Sequence, residues 1–112
     1  NNMANTPKLL THGQFAAAAA VIYTSPALTT TIIKELNLCN LGAAVNAVTL
    51  RIVDGGGTGA ASDYITDAGM SLAVGETVIR TGSLILEAGD TLVGFATNAT
   101  QVNYHVGGIQ VT

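Results

Sequence analysis

The segment Ser83-Leu84-Ile85-Leu86-Glu87-Ala88-Gly89-Asp90-Thr91-Leu92-Val93-Gly94-Phe95 sets the terms for the whole chain. Two apolar, β-type runs meet there across one tight polar turn, Glu87 to Asp90. The same grammar of short strand, small-residue turn and short strand recurs at a spacing of about 8–12 residues, which is the pattern of an all-β domain. No turn gathers a cluster of chemically capable side chains. That absence bears on function as strongly as the repetition bears on fold.

Read in order, residues 1–14 are polar, with Pro7 inside, and are expected to form an N-terminal arm carrying a short strand at Lys8–Thr11. The alanine-rich run from Phe15 to Ala20 is too short to stand as a helix and leads into the β-branched and aromatic Val21-Ile22-Tyr23-Thr24, so extended chain is expected. Ser25-Pro26-Ala27-Leu28 is a turn, because Pro26 presets its own φ and biases Ser25 to extended geometry. Thr29 to Asn40 is the longest strand candidate. Asn46 to Asp54 alternates, with Val48, Leu50 and Ile52 on one face and Thr49 and Arg51 on the other. A glycine-rich loop, Gly55 to Gly59, runs on to Gly69. Strands are then expected at Met70–Val74, Thr77–Arg80, Leu84–Leu86 and Thr91–Thr97. The last are at Val102–Val106 and, after a bend at Gly107-Gly108, Ile109–Val111. The expected fold is all-β: a single antiparallel β-sandwich, jelly-roll-like, of about eight strands, with an arm at 1–14 and the domain at 15–112.

The 112 residues fit one domain, with limited margin for burying a core unaided. Charged residues are only 10%, against roughly 25% in an ordinary soluble domain, and the mean hydropathy is +0.45. A surface so poor in charge points to oligomerisation or docking onto a larger assembly. The four basic residues, Lys8, Lys34, Arg51 and Arg80, are scattered, which argues against nucleic-acid binding. No run reaches the roughly 18 apolar residues of a membrane span, and the alanine run makes a poor signal peptide. Cys39, the single cysteine, cannot form an internal disulfide and reads as a small buried hydrophobe, mildly favouring a reducing compartment.

Each motif that invites chemistry has a plainer reading. Asp54 followed by Gly55-Gly56-Gly57-Thr58-Gly59 imitates a strand entering a dinucleotide-binding turn, but no helix follows to hold a pyrophosphate. Gly-Lys-Ser/Thr is absent. Asp54, Asp63 and Asp67 flank the loop without the spacing of a calcium loop. Glu76, Glu87 and Asp90 each lie in a glycine-containing turn, so turn geometry explains them better than a glycosidase pair. His12 and His105 lie far apart, and with Cys39 they form a metal site only by tertiary coincidence. His105 is expected to face away from Tyr104 and Val106. Asn98-Ala99-Thr100 matches a glycosylation sequon, relevant only in a secreted protein. Tyr23, Tyr64 and Tyr104 are the only tyrosines and tryptophan is absent, which weakens a sugar-stacking reading. No catalytic residue, cofactor or metal is therefore expected.

Four stretches carry a family likeness: Ile22 to Asn40, Ala73-Val74-Gly75-Glu76-Thr77, Leu86 to Leu92, and Tyr104 to Val111. Together they resemble the small β-sandwich virion proteins of tailed bacteriophages, the head decoration (cement) proteins and related surface modules. The resemblance runs from Ile22 to Val111 and rests on strand-and-turn motifs. The alanine run and the glycine-rich stretch depart from it. It implies a non-enzymatic protein made in the host cytoplasm and placed on the virion's capsid surface. There it would bind the major capsid protein lattice, often as a homotrimer, with no nucleic acid, membrane or small-molecule substrate. Lys8, Leu9, Leu10, His12 and Phe15 are the expected contact residues. A tail- or fibre-associated module and a carbohydrate-binding sandwich are the competing readings.

Overall fold

Strand β3 (Thr30–Asn40) shows how the sequence is spent: Thr31, Ile33, Leu36, Leu38 and Asn40 are buried while the residues between them are half-buried or exposed. The alternation slips by one at Lys34-Glu35, both exposed, which is the mark of a β-bulge. The computed structural model describes residues 5–55 and 70–112, with side chains described from Leu9 onward. Around β3 lie β1 (Asn5–Gln14), β2 (Ala20–Thr24), β4 (Asn46–Val53), β5 (Met70–Leu72), β6 (Thr77–Leu86), β7 (Thr91–Ala96) and β8 (Val102–Val111).

These form two four-stranded sheets, ordered β1-β8-β3-β6 and β2-β7-β4-β5, with antiparallel pairing throughout. That order, with successive strands crossing between sheets, is the jelly roll. In the first sheet one line of register shift crosses all four strands. It passes between Leu9 and Thr11 on β1, Gly107 and Val106 on β8, Ile33 and Glu35 on β3, and Leu84 and Thr81 on β6. Bulges add local twist and bend, so this line is where the sheet curves over the core.

The core packs Phe15, Ile33, Leu36, Leu38, Val48, Leu50, Leu72, Leu86, Leu92, Val102 and Val106 between the sheets. Burial of each such side chain contributes about 1.5–3 kcal/mol before entropy is counted. Phe15, in the crossing from β1 to β2, is anchored by its backbone: its N–H donates to the Val102 carbonyl (2.9 Å) and its carbonyl accepts from Thr100 (3.0 Å). Its ring lies 4.7 Å from the Tyr104 ring, centroid to centroid, and against Gly94, where a Cβ would collide with it.

The structure differs from the sequence reading at three places. Residues 5–14, expected as an arm, form a full strand held along its length by β8. The two short strands expected at Thr77–Arg80 and Leu84–Leu86 are one strand, β6, continuous through Gly82. Gly107-Gly108 does not bend the chain but runs inside β8. A Cβ on Gly108 would meet the Ile32 carbonyl, so the glycine permits close strand approach. The stretch Gly56 to Gly69, including Asp63, Tyr64 and Asp67, lies outside the described residues.

Candidate assembly surface

Large apolar side chains stand out of this fold at both ends of β3. At one end the turn after β2 closes with the Thr29 N–H donating to the Pro26 carbonyl (3.2 Å). Leu28 sits in that turn at φ +57°, a left-handed conformation costly for a leucine, and is 92% exposed.

The turn is fixed from below. Ser25 Oγ donates to the Thr29 carbonyl (3.0 Å) and lies 2.9 Å from Thr31 Oγ1. Thr31 Oγ1 lies 3.0 Å from the Tyr23 hydroxyl, which accepts from Gln110 Nε2 (2.8 Å). This chain ties β2 to β3 and β8 across the sandwich. Beside it, the Gly89 N–H donates to the Ser25 carbonyl and the Ser25 N–H to the Asp90 carbonyl. Asp90 accepts from the Gly55 amide at Oδ1 (3.1 Å) and from the Glu87 amide at Oδ2 (3.0 Å). The Gly55 amide holds this carboxyl below its ordinary range; burial opposes the effect and the Glu87 amide adds to it. Asp90 is thus the buried clasp of two turns, as its sequence context suggested, while Glu87 beside it is exposed.

At the other end, Leu41, Val45 and Val74 are more than half exposed. Two asparagines with no exposure hold their turns. Asn40 Nδ2 donates to the Ala44 and Leu72 carbonyls (2.9 and 3.0 Å), and its Oδ1 accepts from the Gly42 amide and Asn46 Nδ2. Asn46 Nδ2 also reaches Gln101 Oε1 (3.1 Å), and its Oδ1 accepts from the Asn98 amide (2.9 Å). Gly75 donates its amide to the Asn40 carbonyl (2.8 Å), which brings the Val74 turn to the same end. A satisfied buried network of this kind rigidifies the loops it spans. Sequence reading placed Asn40 at the end of the longest strand candidate; its bond to Leu72, and the link through Asn46 to Gln101, come from distant segments and leave no local trace.

On β6 the alternate faces carry Val78, Leu84 and Leu86 inward and Ile79 and Ile85 outward, the last two 58% and 59% exposed. Ile85 lies in register with Ile32, and Ile32 with Ile109, so an apolar row crosses the outer face of the first sheet.

Of the expected contact residues, Lys8 lies on β1 opposite Gly108, Leu9 is 46% exposed and His12 is exposed. Leu10 packs on the core, and Phe15 is 1% exposed inside it. The structure therefore corrects Phe15 from surface contact to core residue: its ring fills the space over Gly94. Cys39 is half-buried, its Sγ 3.3 Å from a donating Thr77 hydroxyl. Tyr23 and Tyr104 are half-buried, the first held by its hydroxyl and the second packed on the Phe15 ring. Among the described residues no three of His, Cys, Asp and Glu come close enough to hold a metal together.

No protein-family model and no curated protein sequence matches the chain. Solved structures do resemble it. One describes Bacillus endospore appendages as a family of disulfide-linked pili, at 21% identity and TM-score 0.58, covering 98% of this chain and 88% of that one. Another is infectious bursal disease virus, Gx strain, at 11% identity and TM-score 0.54, covering 99% of this chain and 33% of that one. At such identities the likeness establishes the shared fold.

Proposed function

We propose that this chain is a non-enzymatic structural subunit of a repeating protein assembly, and that its role is that of a decoration protein on a mature phage head. The observation that carries the reading is the set of large apolar side chains presented at both ends and on β6 of a jelly roll that is only 10% charged. Such surfaces are unfavourable on a free monomer and favourable once covered. The similar structures, a pilus and a virus, support assembly as the setting.

A decoration protein needs no chemistry. It stabilises the shell by binding the mature lattice in preference to other states, and many copies add avidity. Leu28, Leu9, His12 and Lys8 are the proposed contacts. The pilus likeness, which spans nearly all of both chains, favours a filament or tail-fibre subunit as the second reading. Light scattering of the purified protein, followed by pelleting with emptied mature heads, separates the two. A trimer that co-pellets supports decoration, concentration-dependent fibres without head binding support the filament, and a monomer that ignores heads contradicts both.

A further inference from the structure

His12 and His105 lie at opposite ends of the sequence, yet β1 and β8 set them directly opposite each other in register. Their rings are side by side, with centroids 6.5 Å apart and planes tilted by 33°. Both side chains are exposed, while Val106 next to His105 is buried, so both imidazoles project from the outer face of the first sheet. We propose that this pair chelates one borderline divalent metal ion, such as Cu2+, Ni2+ or Zn2+.

Three features of the surroundings fit that chemistry. The pair opens onto a shallow depression of about 400 Å3, whose other walls include Gln14, Asn37, Cys39 and Asn103. Among the described residues no Lys, Arg, Asp or Glu lines it. Asn103 Oδ1, on the same wall, is shielded from solvent and has no hydrogen-bond partner among the described residues, leaving an oxygen acceptor beside the pair.

The geometry is within reach. Metal–nitrogen bonds of about 2.0–2.1 Å put two imidazole centres roughly 4.5–5 Å apart, the shorter spacing for cis positions on a tetragonal Cu2+ or Ni2+ and the longer for a tetrahedral Zn2+. Each ring must swing inward by no more than about 1 Å, a small χ adjustment for an exposed side chain. Two ring nitrogens on neighbouring strands of one sheet form a preorganised chelate, and the positions they leave go to water. Imidazole ligation favours Cu2+ over Ni2+ and Zn2+.

Titration calorimetry of the untagged protein with copper(II) or nickel(II) chloride tests the proposal. One ion per chain is expected, with two nitrogen ligands in the copper electron paramagnetic resonance spectrum. His12→Asn and His105→Asn should each weaken binding about a hundredfold, as loss of one arm of a linked pair does. Their thermal unfolding should stay at the wild-type value, because both residues are exposed. Cys39→Ser should bind as wild type. The proposal is overturned if the wild type takes up no ion, if either histidine variant binds as tightly as wild type, or if Cys39→Ser alone removes binding.

Discussion

Leu28 is the most exposed large apolar side chain among the described residues. A leucine at φ +57° with 92% exposure adds strain and solvent-facing apolar surface to the isolated subunit. Such a placement fits the contact outside the subunit that is proposed above. Leu28→Gly should therefore leave the fold unchanged or stabilise it by up to about 1 kcal/mol, since relief of left-handed strain is partly offset by glycine's entropy. The same variant should lose affinity for its assembly, and denaturant melts beside a co-pelleting assay would show the two effects diverging. Asp90 makes the opposite case, a side chain whose work is internal. Because its folded carboxyl titrates below the ordinary value, its contribution is complete above about pH 4 and disappears as pH falls through the lowered value. Asp90→Asn should cost about 1–3 kcal/mol at pH 7, and the two stability curves should converge on acidification. A constant gap down to pH 2 would contradict the linkage. Gly94→Ala, placed against the Phe15 ring, should cost about 1–3 kcal/mol by overpacking. Its cost should shrink in a Phe15→Ala background, as a thermodynamic cycle would read.

Among the elements, β6 carries the clearest separation between what a sequence displays and what a fold decides. Thr77 to Leu86 has apolar residues on both faces and a glycine in the middle, so alternation broke it into two short strands. Only pairing with β3 across the bulge makes it one, and only the packing shows that Ile79 and Ile85 face outward. Ile79→Lys with Ile85→Lys should change unfolding by no more than about 0.5 kcal/mol, as surface changes do. If this face is an assembly contact, light scattering should show the double variant shifted toward monomer. Where one face is apolar and the other polar, as at Leu36-Asn37-Leu38, strand and burial were both legible; at Val48-Thr49-Leu50 the strand was legible, but Thr49 is buried along with its neighbours because both faces of β4 are covered there. The turn at Glu87–Asp90 was legible too, and Gly89 takes the positive φ (+87°) such a turn requires. β1 was not legible as a full strand, because its residues are polar and its order comes from β8. The histidine pair was invisible for the same reason, being made by strands distant in sequence, and so were the Leu72 and Gln101 arms of the Asn40–Asn46 network.

At the scale of the whole molecule, the jelly roll closes its core with turns clasped at both ends and leaves apolar side chains outside it. Charge is sparse on such a surface, and under the proposed role other copies or a lattice supply the burial that relieves it. On that reading function lies in repetition and coverage. Cryo-microscopy of mature phage heads, bare and after incubation with the purified protein, tests this most directly. Ordered jelly-roll density is expected at repeated positions on the shell, with Leu28 or β6 turned into a contact. Heads that remain bare, with the protein left as free monomer in solution, would contradict it.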